Sequence, residues 1–127
     1  MELTKNEKRK VLKTLRDRFQ KNVDLARDKK SFNFLFLCVE VQAIIHDTVR
    51  KGDWNDSEYI YSQRYTYGKK RFPEFYEAIY QQGLKIRPSY IEDNSWFYTR
   101  EGYKDNLQYM EYKLSFIKKF MDQWEVS

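Results

Sequence analysis

Few residues in this 127-residue chain are of a type that does chemistry on its own. The only histidine is His46 and the only cysteine is Cys38. They share one helix-forming run, eight residues apart. That spacing is about 12 Å along a helix axis, with the two side chains pointing in different directions. A nucleophile needs its base within hydrogen-bond reach, so no Cys–His dyad is expected. Single copies also fail to supply the Cys and His clusters that transition metals prefer. A carboxylate-only Mg²⁺ site could draw on Asp53, Asp56 and Glu58, or on Glu92 and Asp93. Those acids fall at expected helix starts and turns, where capping and the helix dipole already account for them. Gly68-Lys69-Lys70 lacks the upstream spacing of a phosphate-cradling loop. These patterns predict a protein that is not an enzyme and uses no metal and no cofactor.

Two features are suited to binding. The net charge of +5 is uneven: residues 1–30 hold eleven Lys/Arg against five Asp/Glu, whereas residues 31–127 hold thirteen against fourteen. The excess therefore belongs to the first helix, where Lys8, Arg9, Lys13, Arg16 and Lys21 read as a basic face, possible company for Lys69, Lys70 and Arg71. Regularly placed cations neutralise phosphates without reading sequence. A solvated face carrying pairs such as Asp17 with Lys21 is the plain alternative. The second feature is aromatic. All eleven tyrosines lie between Tyr59 and Tyr112, and Tyr61 and Tyr65 flank Arg64 in the densest stretch. Tyrosine suits protein interfaces and base stacking alike, and equally a boundary-layer core.

The elements that would position these groups follow from periodicity. Thr4-Lys5-Asn6-Glu7 reads as a capping box. Val11, Leu12, Leu15, Phe19, Val23 and Ala26 then form an apolar stripe, which predicts a basic amphipathic helix over about 4–30. Ser31 is placed to cap a second helix over about 32–51, ended by Gly52. Its first half is apolar all round, so it should be central and buried, with Cys38 in the core and His46 near the polar end at the boundary. The aromatic-rich middle, 54–103, holds a short helix near Ser57–Tyr67, a loop over Gly68–Arg71, and a helix from Phe72 to Gln82 stopped by Gly83. A short extended segment or hairpin fits around 84–98, at Leu84–Ile86 and Trp96–Tyr98. Asp105 caps a terminal helix over about 105–125, in which Leu107, Met110, Leu114, Ile117, Met121 and Trp124 step by three and four. The fold class is all-α: a compact single domain, 1–127, of about five helices.

Composition agrees with that class. Aromatics at 18% let a chain with 41% hydrophobic residues build a core, and 34% charged residues suit helix surfaces. The most apolar window, Phe32–Ile45, is too short to span a bilayer and contains Glu40. A lone thiol and a heavily charged first 30 residues argue against a secreted disulfide framework and a leader, so the cytoplasm is the expected compartment and no membrane the expected partner.

Phe36-Leu37-Cys38 in a buried helix, Phe72-Pro73-Glu74-Phe75, the Trp96-Phe97 pair and a terminal helix reading Leu114 to Met121 occur in this order. In them the chain resembles small proteins of Bacteroidota, their phages and mobile elements, over residues 31–124. No functional residue carries over from that group. The resemblance implies a setting: a non-catalytic inhibitor of a host defence complex, anti-CRISPR-like, engaging a host protein or ribonucleoprotein through the basic helix and tyrosine-rich surface. The alternatives are direct RNA or DNA binding through the first helix, and a phage structural or assembly component.

Overall fold

In the computed structural model of the chain, which describes residues 2–28, 35–51, 66–86 and 106–126, Thr4 opens the first helix. Its backbone N–H donates to Glu7 Oε1 at 2.8 Å, and the Glu7 N–H returns a bond to Thr4 Oγ1 at 3.2 Å. Two of the N–H groups that a helix start leaves open are thereby satisfied. Helix α1 runs Lys5–Arg27. Val11, Leu12, Leu15, Phe19 and Val23 are wholly buried along one side. Each such burial stabilises by about 2 kcal/mol.

Helix α2, Leu37–Ile44, starts later than its apolar run suggests. Ser31 lies outside the described residues, and Phe36 is extended, with φ −109° and ψ 128°. The Leu35 carbonyl accepts from Lys113 Nζ at 2.7 Å, and that ammonium sits 5.1 Å from the centre of the Phe36 ring. Tertiary contacts thus hold Leu35 and Phe36 out of the helix. Nor is α2 buried all round: Leu37, Cys38, Val41 and Ile44 face the core, but Val39 is 40% exposed. The expected stretch to Val49 continues as a π turn, Ile45–Val49. There the Thr48 hydroxyl donates to the Ile44 carbonyl at 2.6 Å, and the Arg50 N–H reaches Ile45 O at 2.7 Å. The widened turn carries His46 inward to 3% exposure, which corrects the expected boundary position.

Gly68–Arg71, expected as a loop, belongs to helix α3, Thr66–Arg71. Gly68 serves close approach, not turning. A Cβ there would stand 2.1 Å from the Tyr76 hydroxyl, which donates to the Cys38 carbonyl at 2.8 Å. The Gly68 N–H itself donates to Gln42 Oε1 at 3.1 Å, so this one residue knits α3 to α2. Phe72 separates α3 from helix α4, Pro73–Ile86. Helix α4 passes through Gly83 and takes in Leu84–Ile86, overturning both the expected stop and the extended segment there. An internal glycine costs a helix only about 1 kcal/mol, and the stronger breaker, Pro88, comes later. The Trp96–Tyr98 part of that expectation lies outside the described residues.

Helix α5, Asn106–Gln123, runs antiparallel to α1: Arg27 meets Glu111 at 2.7 Å while Gln20 meets Lys118 at 3.2 Å. Met110, Leu114, Ile117, Phe120 and Met121 are buried against the core. Rings of Phe72, Phe75, Phe120 and Trp124 join α4 to α5, with Phe75 and Phe120 edge to face at 4.9 Å. The helix ends in a Schellman motif, in which the Val126 N–H bonds Met121 O at 2.9 Å and the Glu125 N–H bonds Asp122 O at 3.1 Å. Glu125 takes the left-handed position at φ 55°, where glycine is usual. Among the described residues the fold is thus five α-helices and one π turn, with no strand. Helix α1 is its hub, touching α2, the π turn and α5.

Candidate functional site

The outer side of α1 carries the cations that the fold leaves to solvent. On a helix of 3.6 residues per turn, Lys10, Lys13, Asp17 and Lys21 share an arc of roughly 80° opposite the apolar stripe. All four are exposed. The three lysines make no ion pair among the described residues, and Asp17, the acid on the arc, is paired with Arg16. Apart from Lys5 and Arg9, the other α1 cations are compensated within the fold. Arg16 Nε bonds Asp17 at 3.2 Å, Arg18 bonds Glu40 at 3.1 Å, and Arg27 bonds Glu111 at 2.7 Å.

Lys8 departs most from the expected basic face. It is 4% exposed, because it lies on the apolar stripe one turn before Leu12. Its Nζ donates to both Glu74 oxygens at 2.9 and 2.8 Å and to the Glu2 carboxylate, and lies within 6 Å of the Phe72 and Trp124 ring centres. Burial works to lower the Lys8 pKa, but hydrogen bonds and charge from Glu2 and Glu74 outweigh it and hold the ammonium above its ordinary range. Lys8 is thus a structural cation and is removed from the candidate face. Around it opens a cleft of about 670 Å³ between the start of α1, the start of α4 and the end of α5. Lys5 and Arg9 also line it. Arg9 is half-buried, and its Nε is buried with no hydrogen-bond acceptor among the described residues.

No family model, curated protein or solved structure matches the chain.

The second cationic group is split. Arg71 is 8% exposed, donates to the Tyr67 carbonyl at 3.1 Å and stacks 3.7 Å from the centre of the Tyr67 ring. As the last residue of α3 it turns inward, so it too leaves the candidate face. Lys70 is exposed and Lys69 half-buried, and both have interactions within the fold. Arg64, Tyr61 and Tyr65 lie outside the described residues. Lys10, on the exposed arc, is the residue that helical spacing could have placed beside Lys13 and Lys21.

The groups considered for catalysis sit in the core. Cys38 is 3% exposed, and burial pushes its thiol up despite the nearby charge of Lys69. His46 Nδ1 lies 2.9 Å from Asp47 Oδ1, and its ring meets Tyr67 edge-on at 5.9 Å. Among the described residues no three His, Cys, Asp or Glu side chains are grouped to hold a metal ion, and no helix is long and apolar enough to cross a membrane.

Proposed function

We propose that this chain is a non-catalytic binding protein that presents the outer arc of α1 to a polyanionic partner. The observation that carries the reading is the exposure of Lys10, Lys13 and Lys21 on one arc without ion-pair partners among the described residues, while Lys8, Arg18 and Arg27 of α1 are paired within the fold. Uncommitted ammonium groups release counterions when they meet phosphates, which favours binding without sequence reading. The inward placement of Cys38 and His46 supports a binding role over nucleophilic chemistry. The resemblance adds a setting to this reading: the partner is a ribonucleoprotein of a host defence system, which the protein inhibits by occupying its RNA-bearing surface.

A pull-down from bacterial host lysate, with and without nuclease, tests the proposal. A ribonucleoprotein partner gives capture of RNA together with protein, diminished by nuclease and by charge reversal at Lys10, Lys13 and Lys21. Capture unaffected by both treatments would rule the arc out as the binding surface.

A further inference from the structure

The cleft beside Lys8 has charges that the fold itself does not use. Lys8 is committed to Glu2 and Glu74, a set that keeps one net negative charge and engages no other cation among the described residues. Lys5 and Arg9 line the same cleft four residues apart, hence on one face of α1. Neither makes an ion pair among the described residues. The cleft also opens at the N-terminal end of α1, where the helix dipole adds positive potential. Glu125, exposed and at φ 55° just past the end of α5, also lines the cleft. The volume of about 670 Å³ is in the range that encloses a small molecule.

We propose that this cleft is a binding site for a small organic oxyanion. Its phosphate or carboxylate is held by Lys5 and Arg9, and Glu125 accepts a hydrogen bond from a hydroxyl or amine on the same ligand. The site is distinct from the outer arc of α1. Lys13 is one turn beyond Arg9, but Lys21, at the far end of the arc, is twelve residues beyond it, about 18 Å along the axis.

Trp124 lines the cleft and reports on it. Inorganic pyrophosphate and malonate are titrated separately into the full chain while the Trp124 indole N–H is followed by NMR. The proposal expects a saturable shift with at least one probe. Pyrophosphate alone identifies a phosphate site, malonate alone a carboxylate site. The apparent Kd should rise tenfold or more in Arg9→Gln and in Lys5→Gln, and stay unchanged in Lys21→Gln. Absence of a saturable Trp124 shift with both probes overturns the proposal. So does undiminished affinity in the two cleft variants, or equal weakening in Lys21→Gln, which would mark diffuse attraction to α1. If Arg9→Gln loses its helical circular dichroism, Lys5→Gln, altered at an exposed position, decides the matter.

Discussion

Replacing Lys113 by methionine is expected to stabilise the protein. Lys113 is fully buried on α5, with its Nζ donating to the Leu35 carbonyl at 2.7 Å. Burial lowers its pKa from the ordinary 10.5 to about 7. The unfolded chain therefore binds more protons than the folded one between those values, and stability rises with pH across that window. At 1.36 kcal/mol per tenfold change in proton affinity, holding the residue in place costs on the order of 4 kcal/mol at pH 7. Methionine has similar length and no charge to desolvate. It forfeits the bond to Leu35 O, worth about 2 kcal/mol for a charged donor, and the Phe36 ring contact, worth about 1 kcal/mol, for a net gain of about 1 kcal/mol. In a domain of this size that raises Tm by about 4 °C. Thermal melts of both proteins at half-unit steps from pH 6 to 10 provide the assay. Other titrations, including that of Cys38, are common to both and drop out of the difference. The advantage of Lys113→Met should be largest near pH 6 and shrink steadily as pH rises towards 10. A lower Tm for the variant, or an advantage that does not change with pH, would refute the reasoning.

Three further outcomes follow from particular contacts. Gly68→Ala should destabilise by about 1–3 kcal/mol in chemical denaturation, because its methyl group would meet the Tyr76 hydroxyl that is bonded to Cys38 O; an unchanged midpoint would contradict this packing. Glu125→Gly should raise stability by about 1 kcal/mol, since it removes the left-handed strain without touching the Schellman bonds; a loss of stability would show that Glu125 makes a compensating contact. Cys38 should resist alkylation in the native protein and react at the rate of unfolding, as its burial and raised pKa require; rapid labelling under native conditions would place it at the surface.

Much of the fold was legible because its signals are local. The Thr4–Glu7 capping box, the α1 stripe and the three-and-four stepping of α5 each need only neighbouring residues, and each appears as read. The misreadings share a tertiary cause. Gly68 looked like a loop signal, but its small size is required by a tyrosine eight residues away. The delayed start of α2 depends on Lys113, far along the chain. Lys8 was readable in principle. It stands three and four residues before Val11 and Leu12, on the stripe itself, and its charge type obscured its position. The two acids that make its burial tolerable, Glu2 and Glu74, carry no mark in the sequence. The same holds for Arg71, whose inward turn rests on Tyr67. Of the eight candidate residues that are described, Lys13 and Lys21 remain as uncommitted, exposed cations, with Lys10 added to them.

The central claim, that an exposed cationic arc on α1 meets a polyanion, is tested most directly by a salt titration. Fluorescence anisotropy with a labelled single-stranded RNA of mixed sequence is measured from low to high salt for the wild type and for Lys10→Glu, Lys13→Glu, Lys21→Glu combined. These side chains lie off the apolar stripe, so the variant should keep its helical circular dichroism. Wild-type affinity should fall steeply with salt. The variant should bind more weakly at low salt, with a log–log slope shallower by up to about 2, as expected when three phosphate contacts are lost. Equal affinity and equal slope at every salt concentration would contradict the account and leave the arc as solvated surface.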